Sequence, residues 1–519
     1  MDTVEQIKTV PVLFRSTVRV PFLDQDGSTM ANTIAPQLSP LTTTDQNLYE
    51  QVADRIQALI REGTLAPGDR LPSVRKLKQQ LSVSMSTVLE AYRLLEDRGF
   101  IVARPQSGYY VKTTTLPDEP SQSAPPAQVR PVDISLMLRL LRMGLAPGMI
   151  HLGAAVPGME NFPLNTLNRL MGQVMRADPL AVHAYRTVPG CEPLRREVAK
   201  RMLNAGCSIS PDQIVATAGA TEAYYLALRT VTQPGDTVVI ESPAYYAILE
   251  AMNSLGLNAL ELPTHPQDGI SLSAFQSALE NQSVAACILV SNFSNPLGSC
   301  MGDRKKKALV ELLNQYDIPL IEDDVYGELS FDGSRPKAIK AFDTEGRVIY
   351  CSSVSKTLSP GLRVGWCIPG RYQQQVEHLK VVVSHMTATA PQLAVAAFFA
   401  NGGYDRHLRT LRHAYQQQMN RMHQAILDYF PPETRVTRPR GGHVLWVEIT
   451  GEFDALELFE EAIHHSISIA PGPMFSASHG YQNCFRLNTG LPWSDKIEQA
   501  MKTIGYLAKK QLARKMLAS

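Results

Sequence analysis

From Val132 onward, short apolar runs alternate with amphipathic helical stretches, and nothing else in the 519 residues limits the fold as tightly. The runs are Ile214–Thr217, Thr237–Ile240, Ala286–Val290, Leu320–Glu322 and Val348–Ser352. Runs this short, separated by helix-period segments, predict an α/β fold with a largely parallel sheet. No repeat period stands out. Such sheets present their ligand groups on loops that leave the carboxyl ends of strands. The chemistry is therefore expected in the residues that directly follow each run.

Those residues form a consistent set. Ala218-Gly219-Ala220-Thr221-Glu222-Ala223 opens a helix, where small residues let backbone N–H groups and a hydroxyl meet a phosphate. Glu241-Ser242-Pro243-Ala244-Tyr245 supplies a tyrosine that either stacks on an aromatic ring or fills the core. Ser294-Asn295-Pro296-Leu297-Gly298 is a turn that presents Asn295 as a donor. In Asp323-Asp324-Val325-Tyr326, a carboxylate directly after a buried strand suits a pyridinium N–H, and Tyr326 reaches a phenolic oxygen. The last run leads into Ser353-Val354-Ser355-Lys356-Thr357-Leu358-Ser359-Pro360-Gly361-Leu362-Arg363. A lysine delivered into a small buried spot loses its charge readily and attacks carbonyls. The hydroxyls and Arg363 suit a phosphate. A carbonyl with a phosphate suggests pyridoxal phosphate; a structural Ser/Lys loop is the alternative for this stretch alone.

The N-terminal part reads differently. Leu48, Val52, Ile56, Leu59 and Ile60 have helical spacing, and Gly63 and Pro67-Gly68 end that helix. Ser73 N-caps a short second helix running to Leu81, and Ser84 caps a third with Val88, Ala91, Tyr92 and Leu95 on one side. Phe100–Arg104, a Pro105-Gln106-Ser107-Gly108 turn and Tyr109–Val111 read as a hairpin. Three short helices and a hairpin describe a winged helix-turn-helix, whose third helix enters the major groove. Residues 47–112 carry ten Lys/Arg against seven Asp/Glu, a balance of only +3. Arg70, Arg75, Lys76 and Lys78 nevertheless cluster at the helix expected to face phosphates.

The net charge of +1 gives no whole-chain attraction to nucleic acid, so DNA binding must be local. Seven scattered cysteines without a Cys-x-x-Cys pair favour neither a disulfide framework nor a zinc site, and no metal is expected. The absence of a long apolar run or a signal-peptide pattern points to a soluble, cytoplasmic chain with no membrane partner. Residues 1–45 read as an unstructured leader, with Met30 a second candidate start. The winged domain spans 46–114. Residues 115–131, rich in Pro and Ser, predict an extended, semi-flexible tether that lets one module move relative to the next. The large domain takes 132–519.

Two resemblances follow. Leu48-Tyr49-Glu50-Gln51, Gly63 through Arg75, Thr87-Val88, Ala91-Tyr92 and Ser107-Gly108 strongly resemble the GntR family of bacterial transcription regulators. That resemblance implies DNA contacts at Arg70, Ser73, Arg75, Ser84, Ser86, Thr87 and Gly108. Met85 stands where the family usually has arginine, which removes one expected contact. Residues 132–519 resemble the fold type I, class I/II aminotransferases, with a smaller α+β subdomain at the C-terminus. This resemblance implies pyridoxal 5′-phosphate held by Lys356 as a Schiff base. Asp323 would then face the pyridine nitrogen, Asn295 and Tyr326 the ring oxygen, and Tyr245 the ring face. Ala220, Thr221, Ser353 and Arg363 would hold the phosphate, with Tyr185 reaching the phosphate of a partner subunit. Arg486 would clamp a substrate carboxylate and Gly153 would line the substrate site.

A GntR winged helix fused to an aminotransferase-like module is the plan of the MocR subfamily. The expectation is a homodimeric, pyridoxal phosphate-dependent transcription regulator that binds a double-stranded DNA operator and senses a small amino compound. A working aminotransferase that carries a DNA-binding head is the alternative. DNA binding alone, with a decayed cofactor site, is disfavoured because every position of the set is filled.

Overall fold

The computed structural model describes residues 47–61, 64–66, 68–104, 107–112, 117–144, 146–185 and 188–518. The expected leader, Gly63 and Pro67, the Pro105-Gln106 half of the hairpin turn, and residues 113–116 of the tether region lie outside them. The chain divides into two compact units at Thr113/Thr114.

The first unit has helices Leu48–Arg61, Val74–Leu81 and Met85–Asp97, then an antiparallel hairpin of Ile101–Arg104 and Gly108–Val111. Local chemistry sets the helix starts. Ser73 Oγ accepts the Lys76 N–H at 3.3 Å, and Ser84 Oγ accepts the Thr87 N–H at 3.0 Å. Val52, Ile56, Leu77, Val88, Tyr92 and Leu95 bury the inner faces of all three helices. Tyr92 also donates its hydroxyl to Pro72 O at 2.6 Å, which pins the loop before the second helix to the third.

The second unit is built on a nine-stranded sheet. Across it the strands run Arg130–Pro131, Asn258–His265, Thr237–Ser242, Ala286–Leu289, Leu320–Asp323, Val348–Ser353, Gly365–Ile368 and Val215–Thr217, with Gly269–Ile270 paired to Asn258–His265. The five expected strands are present. The central ones are parallel, and Gly365–Ile368 is antiparallel to both neighbours. Asn258–His265 and Gly365–Ile368 were not anticipated: Pro263 and Glu261 break the apolar pattern of one, and the other is only four residues long. The C-terminal subdomain has an antiparallel sheet in the order Thr434–Val436, Val444–Ile449, Cys484–Asn488 and Ala470–Pro471. Helix Gly403–Tyr429 serves both cores: Leu408, Leu411 and Tyr415 enter that of the large sheet, and Met419, Met422 and Ile426 that of the small one.

The tether reading needs correction over 117–131. That segment is extended, as expected, but it is fastened along the second unit. The Val436 N–H donates to Asp118 O at 2.9 Å, and the Arg438 N–H donates to Glu119 Oε1 at 3.1 Å. Ser123 Oγ accepts the Thr264 N–H at 2.7 Å and donates to Ser242 O at 2.5 Å. Arg130–Pro131 adds an edge strand to Asn258–Ala259. A segment without core-forming side chains still has a full set of backbone donors and acceptors, and these find partners at a sheet edge.

Replacing Tyr92 with Phe removes the one hydroxyl bonded to Pro72 O, and is expected to destabilise the first unit by about 1–3 kcal/mol. Amide exchange of residues 48–111 in the intact chain checks this through a matching loss of protection at the slowest-exchanging amides.

Candidate active site

Three adjacent parallel strands end at one edge of the large sheet. In the ladder, Leu320 pairs with Val348 and Cys287, and Asp323 with Cys351. Side chains alternate along a strand, so the acidic triplet 322–324 splits between two faces. Glu322 accepts Ser291 Oγ at 2.6 Å and the Ile339 and Lys340 N–H groups at 2.7 and 2.9 Å. Asp324 pairs with Arg335 Nη2 at 2.6 Å and accepts Tyr350 Oη and Asn292 Nδ2 at 3.1 and 3.0 Å. Asp323 faces the other way, and its buried Oδ1 has no hydrogen-bond partner among the described residues. Burial, and then the neighbouring Asp324 charge, push its carboxyl up to about 7.

Lys356 follows the strand Val348–Ser353 and keeps part of its surface open to a cavity. Its Nζ donates to Ala155 O at 2.6 Å. Burial, then the Arg486 charge, lower its ammonium to about 8, with Asp323 opposing and Arg363 adding to the drop. A lysine so placed is a neutral nucleophile for a sizeable fraction of the time near neutral pH.

Asn295 joins two further members. Its Nδ2 donates to Tyr326 Oη at 3.2 Å, and its Oδ1 accepts Arg486 Nη1 at 2.7 Å. Arg486 is fully buried on strand Cys484–Asn488. Its Nη2 donates to Gly153 O, while its Nε has no partner among the described residues. No carboxylate pairs with it among the described residues, which separates it from an ordinary core ion pair. Gly153 is a positional necessity, since a side chain there would run into the Ile469 backbone. Three neighbours escaped the sequence reading. Tyr246 and Phe475 lie with ring centroids 5.8 and 5.0 Å from the Arg486 guanidinium. His443 is fully buried 5.5 Å from the Tyr326 ring, and its Nε2 has no partner among the described residues. Burial and the Lys356 charge push His443 down to about 3, so the ring is neutral. The one available signal was the Gly441-Gly442-His443 turn immediately before an apolar strand.

At the other end, Gly219 caps the helix Ala220–Val231 at φ +88°. Arg363 Nη2 donates to Ala218 O at 2.7 Å, and a side chain at Gly219 would collide with its guanidinium. Ala218, Thr221 and Arg363 line a hollow of about 440 Å³ together with Glu250 and with Glu222, which accepts the Ala218 N–H and pairs with Lys380 at 2.8 Å. Ser353 Oγ accepts the Ser355 N–H at 3.3 Å nearby on the chain. Glycine, helix N-terminus, hydroxyls and an arginine with no carboxylate partner among the described residues form a cradle that fits a phosphate. With the unpartnered Asp323 oxygen and Lys356, the residues fit pyridoxal 5′-phosphate. Tyr245, on the wall of the Lys356 cavity, is available to a ring. Tyr185 stands apart from the cluster: it is 84% exposed and meets the His385 ring edge-on at 5.3 Å.

In the first unit Ser73, Arg75, Lys76, Lys78, Ser84 and Ser86 are exposed, and Thr87 is half-buried. Ser84 Oγ lies 2.7 Å from both Ser86 Oγ and Thr87 Oγ1. The Arg70 guanidinium lies against Gly108, whose φ of +105° favours glycine. Met85 is 41% exposed at the start of the third helix.

Comparison with known proteins gives the same two parts. Residues 149–504 match the model for aminotransferase class I and II, and residues 48–111 match that for bacterial regulatory proteins of the gntR family. The uncharacterized HTH-type transcriptional regulator YdcR of Escherichia coli is 40% identical over 89% of this chain and 99% of its own. The chain belongs to the GntR regulators of MocR architecture. A second such regulator, YjiR of the same organism, is 38% identical over 88% of this chain and 98% of its own. Among solved structures, the MocR-type chain resembles a multiple substrate aminotransferase from Thermococcus profundus at TM-score 0.68 and 28% identity, covering 74% of this chain and 96% of that one. Pyrococcus horikoshii kynurenine aminotransferase gives TM-score 0.68 at 30% identity, covering 73% and 95%. The family implies pyridoxal phosphate. No helix among the described residues is long and apolar enough to cross a membrane.

The lowered Lys356 ammonium has a thermodynamic signature. Between about pH 8 and 10.5 the unfolded chain binds the proton that the folded chain has lost, so stability rises with pH across that window. The cofactor-free chain is expected to gain up to about 3 kcal/mol there relative to Lys356→Met. Urea midpoints of both proteins across that range provide the check, and parallel curves would remove the assignment.

Proposed function

We propose that this MocR-type chain is a cytoplasmic, homodimeric transcription regulator whose aminotransferase-like domain binds pyridoxal 5′-phosphate and senses a small amino compound. One observation carries the reading: an unpartnered buried carboxylate oxygen, a depressed lysine and a glycine–arginine phosphate cradle occur together in one site. When bound, the cofactor supplies an aldehyde that condenses with primary amines and a ring that draws electrons from them.

The chain's own residues then have separate tasks. Lys356 Nζ is the nucleophile that would hold the cofactor. Asp323 accepts a proton-bearing ring nitrogen at its free Oδ1, and that ion pair would return its carboxyl to the charged form. Asn295 and Tyr326 offer donors to a ring oxygen. Arg486 receives an α-carboxylate at Nε and at the Nη2 now held by Gly153 O, a geometry suited to bidentate binding. Ala220, Thr221, Ser353 and Arg363 hold the phosphate. Tyr185 is presented to a second copy, as are the exposed Val381, Val382 and Val383. Arg70, Ser73, Arg75, Ser84, Ser86, Thr87 and Gly108 meet an operator. A ligand moves the DNA-bound equilibrium only by as much as it binds one state of the chain better than the other.

The complete catalytic set also supports the alternative of a turning-over aminotransferase. Multiple turnovers of an amino acid with a keto acid would favour it.

The purified full-length chain is expected to be yellow and to keep its cofactor covalently after borohydride, whereas Lys356→Ala keeps none. A Lys356→Ala protein that still fixed the cofactor would sink the assignment. The chain should retard its own upstream DNA, with a response to amines. Arg75→Ala is expected to weaken binding across sequences and to lower the slope of log affinity against log salt by about 1. Titrations between 50 and 200 mM salt measure that slope, and an unchanged slope would remove Arg75 from the phosphate contacts.

A further inference from the structure

The cavity that opens beside Lys356 has a volume of about 140 Å³. Leu140 and Leu141 form part of its wall, together with Val156, Ile469, Met474 and Ser468. Lys356 is the one charged side chain among the described residues that line it. The reason lies in helix Ser135–Gly144. Met137, Leu140, Leu141 and Gly144 fall at helical spacing and turn inward, while Arg139 and Arg142 are exposed on the far face. Arg139 lies 4.0 Å from Glu460 there. The buried cation nearby, Arg486, is tied to Asn295 at Nη1, so the Nε–Nη2 edge assigned above to the α-carboxylate is the one it can offer, and it meets no second carboxylate.

We infer that the amino compound sensed by this chain is an α-amino acid whose side chain is uncharged and apolar, of leucine, methionine or phenylalanine size. This rests on the proposed cofactor reading of the same site. A second carboxylate or ammonium on the ligand would enter a largely apolar wall with no charged side chain besides Lys356; the wall's other side-chain polar groups are the hydroxyls of Tyr245, Tyr246 and Ser468. Burying an unpaired charge is strongly unfavourable, whereas an apolar side chain replaces water in contact with leucine, isoleucine and methionine. Apolar pockets discriminate by 10–200-fold per methylene-sized difference, which sets the scale of selectivity expected.

The test is a titration of the full-length, cofactor-loaded chain with L-leucine, L-methionine, L-phenylalanine, L-glutamate and L-lysine, read by the visible absorbance of the bound cofactor. The apolar three are expected to half-saturate at concentrations at least about 10-fold below the charged two. Leu141→Arg should reverse the order between L-leucine and L-glutamate. Val156→Arg, at a position already 45% exposed, serves the same purpose if the first variant folds poorly. Equal or better binding of L-glutamate or L-lysine by the unaltered chain overturns the inference. So does a loaded chain whose absorbance ignores all three apolar amino acids. A chain that never acquires the absorbance instead defeats the cofactor reading, and this inference with it.

Discussion

Parallel pairing among Ala286–Leu289, Leu320–Asp323 and Val348–Ser353 decides where the chemistry of the large unit can be. The ladder holds three carboxyl ends in register, which places Asp323 at the end of its strand beside the loops that carry Asn295 and Lys356. Pleating does the rest. It turns Glu322 and Asp324 towards Arg335, Ser291 and backbone donors, and leaves Asp323 alone on the opposite face. A register slip of one residue would exchange the faces, bringing Glu322 and Asp324 into the site without their partners and turning Asp323 away from it.

The charge pattern around Lys356 is unusual for a protein interior. Lys356 and Arg486 interact inside the site while Arg363 is exposed, and no carboxylate forms an ion pair with any of the three among the described residues. Asp323 is the acid whose charge acts on Lys356, and it is itself pushed towards the neutral form. Buried cations are ordinarily paired. A site left short of negative charge suits anionic ligands. Structures that bind anions carry that imbalance as part of their design, and it is stabilised by the surrounding fold.

Much of this was legible because the signals were local. Ser73 and Ser84 reveal themselves as caps through bonds only three residues long. Asn295, Asp323 and Lys356 each follow an apolar run closely, so finding the strand finds the residue. Other parts depend on packing between segments distant in the chain. His443, Phe475 and the partners of Arg486 come together only when the small subdomain's sheet meets the large one, and no spacing records that. The segment 117–131 shows the same limit from the other side. Its composition correctly signals the lack of a core of its own. It says nothing of the backbone groups that fasten Asp118 and Ser123 to Val436 and Thr264.

Asn295 carries a consequence of its own. One amide reaches Tyr326 with its nitrogen and Arg486 with its oxygen, so a single rotamer serves both the ring end and the carboxylate end of the site. Two occupants that share a residue are thermodynamically linked. Whatever factor the first gains or loses by setting that amide, the second experiences in equal measure, whichever arrives first. The affinity of the Arg486 end for an occupant is therefore not a fixed property of the chain: it follows how completely the Tyr326 end is filled.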